Sequence, residues 1–232
     1  MKLAIAPLVL STATFGLMLG VSQNAQASGL IRNVNATATG FTGTALPLGN
    51  LAAITNGNGL PLNQPSLTGA HAATTGNTSG TGNSWRSVIN SGANPIGNLV
   101  LEFNLNGIYN LAGFSFWNTS GSTDLSNQGI KDVTIEYKLG AGGSWTALTG
   151  APTSFLAGSS STGGAATVQQ FNFAPVYATN VRFRNMSNFG SLSAGNNRVG
   201  LNEIQFTSIP EPSSTLALLA LGLAGVGLRK RV

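Results

Sequence analysis

Residues 129–138 read Gly-Ile-Lys-Asp-Val-Thr-Ile-Glu-Tyr-Lys. Within them Val133, Ile135 and Tyr137 alternate with Asp132, Thr134, Glu136 and Lys138. Successive side chains of a strand point to opposite faces, so this period of two marks a strand with one buried face. The same period recurs on both sides. Upstream, Leu99, Leu101, Phe103 and Leu105 alternate with Val100, Glu102 and Asn104, and Phe114 with Phe116 marks another strand. Downstream, Phe171 and Phe173 mark one strand, and Val181 and Phe183 alternate with Arg182 and Arg184. A last one sets Asn202, Ile204 and Phe206 against Glu203 and Gln205. Asn106-Gly107, Gly142-Gly143 and Asn188-Phe189-Gly190 supply turn residues between these runs. The body shows no apolar period of 3.6 residues. Many short strands with turns predict an all-β fold, an antiparallel sandwich or jelly roll.

Composition narrows the function. Gly, Ser, Thr and Asn make up 101 of the 232 residues and only 17 are charged, which excludes a coiled coil and an acidic disordered tail. Fifteen of the 17 aromatics lie between Trp85 and Phe206, and residues 28–84 hold only Phe41. The core is therefore expected to come from the second two-thirds, with residues 28–84 as long surface loops carrying one or two strands. The absence of Cys removes disulfides, thiolate metal sites and thiol nucleophiles, and one histidine, His71, cannot make a His-rich site. His71, Asp124 and one of many serines can be written down as a triad, but with serine this abundant the coincidence carries no weight. No catalytic residue is assigned, and the chain is read as a non-enzyme. The net charge of +5 sits mostly at the two ends. Between residues 28 and 209 seven cations face five acids, so no clustered phosphate-binding surface is expected and no nucleic-acid partner is inferred.

The ends read as addresses. Lys2 precedes an apolar run to Val21, and Ala25-Gln26-Ala27 is a small-x-small cleavage pattern, giving a signal peptide over 1–27 and Ser28 as the first mature residue. At the other end Pro210-Glu211-Pro212 stops any strand, Leu216–Leu228 is an apolar helix-forming run, and Arg229-Lys230-Arg231 follows at once. Thirteen helical residues cover roughly 20 Å, and with Ser213–Thr215 and snorkelling cations they reach a marginal transmembrane helix in the inner membrane, its basic end cytoplasmic. Residues 209–232 so composed resemble the PEP-CTERM sorting tail. That resemblance implies processing by an exosortase near Pro-Glu-Pro in a Gram-negative bacterium that makes exopolysaccharide. The body would face the periplasm while anchored, then pass to the cell surface or the extracellular matrix.

The body, residues 28–208, carries a second resemblance. The run Leu99–Asn118, then Gly129–Tyr137 with Gly143–Leu148, then Ala178–Arg184 and Gly200–Phe206 is similar, in this order, to the discoidin or coagulation-factor C-type domain, a galactose-binding-like jelly roll. Ile54–Leu60 and Trp85 fall where that family has an early loop and a tryptophan. The resemblance implies ligand binding, usually of sugars, by loops at one end of the sandwich. A sugar needs an aromatic face for its C–H patch and planar polar groups for its hydroxyls. The pairs that meet this are Trp117 with Asn118, Trp85 with Arg86, and Phe189 with Arg198. The family's structural calcium would fall on Asn56, Asn58 and Glu203, with Asn56 standing where the family has an aspartate.

The chain is therefore read as an exported, exosortase-sorted surface or biofilm-matrix protein with a non-catalytic carbohydrate-binding module. A purely structural surface protein is the alternative, and a hydrolase the least supported reading. Leader and tail together predict that the intact mass of the secreted protein corresponds to a chain beginning at Ser28 and ending near Pro212; a full-length mass would contradict both assignments.

Overall fold

The computed structural model describes residues 29–40, 47–88, 96, 98–190 and 198–209. The expected leader with Ala25 and Ala27, and the tail with Pro210, Glu211, Pro212, Arg229, Lys230 and Arg231, lie outside these described residues. So do the two apolar helices expected there. Among the described residues no helix is long and apolar enough to cross a membrane.

The described residues form nine strands: β1 (Gly29–Leu30), β2 (Asn35–Thr39), β3 (Leu48–Gly49), β4 (Trp85–Arg86), β5 (Val100–Asn118), β6 (Thr134–Lys138), β7 (Thr146–Ala147), β8 (Gln169–Arg184) and β9 (Gly200–Ser208). One short helix, α1 (Thr123–Asn127), follows β5 and is capped by the Ser122 hydroxyl, which accepts from Leu125 N at 3.2 Å. Every strand pairing is antiparallel, in the order β3-β4-β9-β5-β8-β6-β7, with β1 added to β9 and β2 to β5.

Two of the expected turns behave differently from each other. Gly142-Gly143 does reverse the chain between β6 and β7, where Gly143 N donates to Gly140 O at 3.2 Å. Asn106-Gly107 does not. Asn106 takes φ of 57° inside a continuous strand, and the β5–β8 register shifts between Asn104 and Tyr109 and again between Leu111 and Gly113. Extra residues in one strand bend it without ending it. The two apolar runs around Asn106-Gly107 are thus halves of one strand of 19 residues, and Phe171 and Val181 share one of 16.

The bend folds the sheet over itself. Phe103 pairs across the ladder with Val181, and Phe114 pairs with Phe171 and Phe206. The eleven steps from residue 103 to residue 114 would span roughly 36 Å in a straight strand. Yet the rings of Phe103 and Phe206 are 5.3 Å apart, and those of Phe114 and Phe183 6.0 Å. Opposite ends of one ladder therefore face each other across a shared core, and the expected sandwich is what the chain builds. Phe116 stacks on Phe155 at 3.9 Å within it.

Two local expectations change. Residues 29–49 already contribute three strands, because β1 and β2 close free edges of β9 and β5 with little apolar content. And β9 is buried on both faces, Asn202, Glu203 and Gln205 included. It lies between β4 and β5, and the loops after β3 cover its second face: Gln205 donates to Thr55 O at 3.1 Å and Thr74 Oγ1 to Asn202 Oδ1 at 2.7 Å.

Phe103→Ala removes a ring held between both layers and is expected to cost about 3–5 kcal/mol in denaturant unfolding. Leu156→Ser, at a side chain 73% exposed, should stay within about 0.5 kcal/mol.

Candidate functional site

At one end of the sandwich three chain segments are tied into a closed circuit. Arg86 ends β4 and stands opposite Gly200, the first residue of β9. The pairing continues beyond the strands, with Ser87 N donating to Val199 O at 2.8 Å and Val199 N to Ser87 Oγ at 3.1 Å. Arg198 Nη1 donates to the Ser87 carbonyl. Arg86 Nη1 donates to Gln128 Oε1 and Nη2 to Gly76 O, both at 3.1 Å. Gly200 N returns a bond to Gln128 O at 2.9 Å. The Asn127 carbonyl, at the end of α1, accepts from Phe189 N at 3.1 Å and Gly190 N at 2.9 Å. Asn188 Nδ2 closes the circuit on Arg198 O at 2.8 Å. Gly200 is required here: a Cβ would lie 2.4 Å from Arg86 Cγ.

The electrostatics of this end are unusual. Arg86 is 7% exposed and Arg198 8%. Burial, and then the neighbouring charge of Arg198, push the Arg86 guanidinium down to about 10, and burial lowers Arg198 as well. On the β5–β8–β6 face the chain handles cations otherwise. Arg182 and Arg184 share Glu136 at 2.6 and 2.8 Å. Burial alone would raise the Glu136 carboxyl, but the two guanidiniums outweigh it and hold it below its usual range.

Of the residues singled out in the sequence, Arg86, Phe189 and Arg198 come together at this end, with the Phe189 side chain half-buried. The tryptophans do not present a face to solvent. Trp117 is 0% exposed, packs with Leu60 and Ala166, and donates from its indole to Gly69 O at 2.8 Å. Trp85, 2% exposed, belongs to the main core. Asn118 is buried, and its amide pins Ile130 O and Leu156 O at 2.8 and 2.9 Å. Aromatic surface is worth most when buried, and these residues hold the loops from below. The sequence reading passed over Gln128 and Asn127, which link the three loops, and Trp145, the tryptophan that stays half-exposed. Its place in the β6–β7 hairpin beside Gly142-Gly143 was the available signal. Lys138 Nζ and the Arg182 guanidinium lie 4.5 and 4.3 Å from its ring centroid.

Glu203 comes to the loop expected around calcium, while the Asn56 and Asn58 side chains bond within the loops. Asn56 Oδ1 accepts from Asn58 N at 2.9 Å, and Asn58 Nδ2 donates to Gly82 O at 3.1 Å, both at the surface. Glu203 is fully buried and meets the loop only through Gly57 N, 3.2 Å from each carboxylate oxygen, with the Gln205 amide as its other donor. Calcium takes six to eight oxygens, usually with several carboxylates. Among the described residues no group of three His, Cys, Asp or Glu could hold a metal ion. His71 is likewise buried, bridged to Ala166, with Nδ1 2.7 Å from Ala72 O. Burial lowers its pKa.

Residues 208–231 match the family model described as the PEP-CTERM protein-sorting motif, so the chain ends in that motif. No curated protein matches the chain. Among solved structures, the family 32 carbohydrate-binding module of Clostridium perfringens NanJ in complex with galactose aligns at 13% identity and TM-score 0.45, over 78% of this chain and 100% of that one. A second Clostridium perfringens structure, CpGH89CBM32-5 in complex with GalNAc-β-1,3-galactose, aligns at 14% identity and TM-score 0.46, over 77% and 99%. A two-domain protein of unknown function from Bacteroides fragilis aligns at 17% identity and TM-score 0.41, over 79% and 45%.

Burial raises Glu203 from 4.5 to about 8, against the opposing hydrogen bonds of Gln205 and Gly57. The folded state then keeps a proton that the unfolded chain releases, so stability is greatest below about pH 4.5, falls as pH rises towards 8 and levels beyond it. In chelator, thermal melts between pH 5 and 8 should show a fall on the order of a few kcal/mol that Glu203→Gln flattens.

Proposed function

We propose that the protein is exported, held briefly at the inner membrane by its PEP-CTERM tail, released by an exosortase to the cell surface or matrix, and there binds exopolysaccharide without catalysing a reaction. The observation that carries the binding part is the circuit at the sandwich end. It ties the backbone of the half-buried Phe189 to Asn127 and gathers the planar polar groups of Asn188, Arg198, Arg86 and Gln128 on the neighbouring chain segments. That is the combination a sugar requires, an apolar face next to fixed donors and acceptors. The chain as a whole is rich in Gly, Asn, Ser and Thr and poor in charged residues, which suits a hydrated polysaccharide matrix. Trp117, Asn118 and Trp85 act in this reading as supports. The non-catalytic part is supported by His71, whose ring is buried in the loop scaffold while Asp124 is exposed in the first turn of α1.

A purely structural matrix protein is the competing reading, favoured by the burial of the two arginines under their own loop contacts. Polysaccharide pull-down and glycan arrays separate the two. Phe189→Ala should weaken retention about two- to tenfold with circular dichroism unchanged, since stacking of this kind is worth about 0.5–1.5 kcal/mol. Retention on no polysaccharide at all would select the structural reading. Calcium chloride in place of chelator is the control for the ion implied by the family resemblance. A rise in Tm abolished by Glu203→Gln would make Glu203 a ligand, and an unchanged Tm leaves it a buried acid.

A further inference from the structure

Arg86 and Arg198 leave the same side of one ladder. Arg86 stands opposite Gly200, and Arg198 precedes Gly200 by two residues on the extension that pairs with Ser87. Side chains at such diagonal positions are within mutual reach when they are long. Two guanidiniums in this arrangement repel, and with both residues more than nine-tenths buried water screens them poorly.

The five acids of the body are all accounted for elsewhere. Glu136 serves Arg182 and Arg184, and Glu102 takes Lys138 at 3.1 Å. Glu203 is bonded to Gly57 and Gln205, and Asp124 and Asp132 are exposed, the latter accepting from Ser187 Oγ at 2.6 Å. No carboxylate among the described residues is paired with Arg86 or Arg198. Their bonds go to neutral carbonyls and an amide, at Gly76, Ser87 and Gln128. Arg86 Nε is buried with no hydrogen-bond partner among the described residues. A buried charge is ordinarily paired, and leaving one donor unmade besides adds a desolvation cost.

We propose that Arg86 and Arg198 form a subsite for an anionic group, the carboxylate or sulfate of an acidic polysaccharide. The subsite deepens the carbohydrate-binding reading and rests on it. A planar oxyanion matches the guanidinium fork, offers an acceptor to the free Nε, and supplies the negative charge that the surrounding chain lacks. Phe189, on the same circuit, would lie against the sugar ring that carries the acid, so one residue reads the ring and two read its charge.

The test is binding of the processed protein to four immobilised polymers: galactan, polygalacturonate, dextran and dextran sulfate. The first pair isolates the carboxylate, the second the sulfate. An acidic polymer should bind at least about tenfold more tightly than its neutral counterpart, since hydrogen bonds to a charged group are worth 1.5–3 kcal/mol. Arg198→Gln should erase that preference, while Lys131→Gln, which removes an equal charge from an exposed position, should leave it intact. Arg198→Lys, which keeps the charge and loses the fork, should fall between, and it covers the case in which Arg86→Gln unties the loops at Gly76 and Gln128. Equal binding of neutral and acidic polymers, unchanged in Arg198→Gln, would overturn the subsite and leave the carbohydrate reading standing. A preference lost equally in Lys131→Gln would also overturn it, as unspecific attraction. Binding to none of the four would remove both.

Discussion

The bent ladder between β5 and β8 is the constraint from which the rest of the molecule follows. Its two register shifts, on either side of Tyr109, let one pair of strands run through both layers. Without them the phenylalanines at 103, 114, 183 and 206 could not share a core, since the strand between the first two would hold them far apart. The ladder also fixes where everything else attaches: β2 and β6 on one half, β9 on the other, and β4 beyond β9. The end of β4 and the start of β9 are where Arg86, Arg198 and the Phe189 loop meet. The candidate site is thus positioned by a bend more than ten residues away from it.

A second consequence concerns polarity. With β9 central and covered on both faces, its outward residues are Asn202, Glu203 and Gln205, and each is matched by a loop group: Thr74, Gly57 and Thr55. Loops poor in apolar side chains can cover a strand only by hydrogen bonding it. The Gly/Asn/Thr-rich segment before Trp85 is such a cover. Its composition reads as surface loop, but its function is to bury polar atoms.

How much of this was legible in the sequence depended on whether local alternation or distant context decided the outcome. β6 was readable to within two residues, because Ile135 and Tyr137 share one inward face and the strand has one neighbour on each side. Asn106-Gly107 misled, since the same dipeptide that closes hairpins also accommodates a left-handed residue inside a bulged strand. Trp117 was visible as an aromatic beside a polar neighbour, but the loop that folds over it is set by Gly69, Leu60 and Ala166, remote in sequence. Glu203 looked like the polar half of an alternating strand, and only the position of β9 between β4 and β5 shows that both halves are inside. Arg86 and Arg198 were visible as candidates singly; their pairing needs Gly200, a residue with no side chain to notice.

One feature of β9 bears on how the body withstands its surroundings. The strand ends at Ser208, where the sorting motif begins, and it is clamped between β4 and β5 with β1 laid along its last residues, Gly29 against Ser208. Held by β5 along one edge and by β4 and β1 at the two ends of the other, β9 leaves little free edge on which a second chain could add a strand, so the part of the body that continues into the tail is closed to edge-to-edge association.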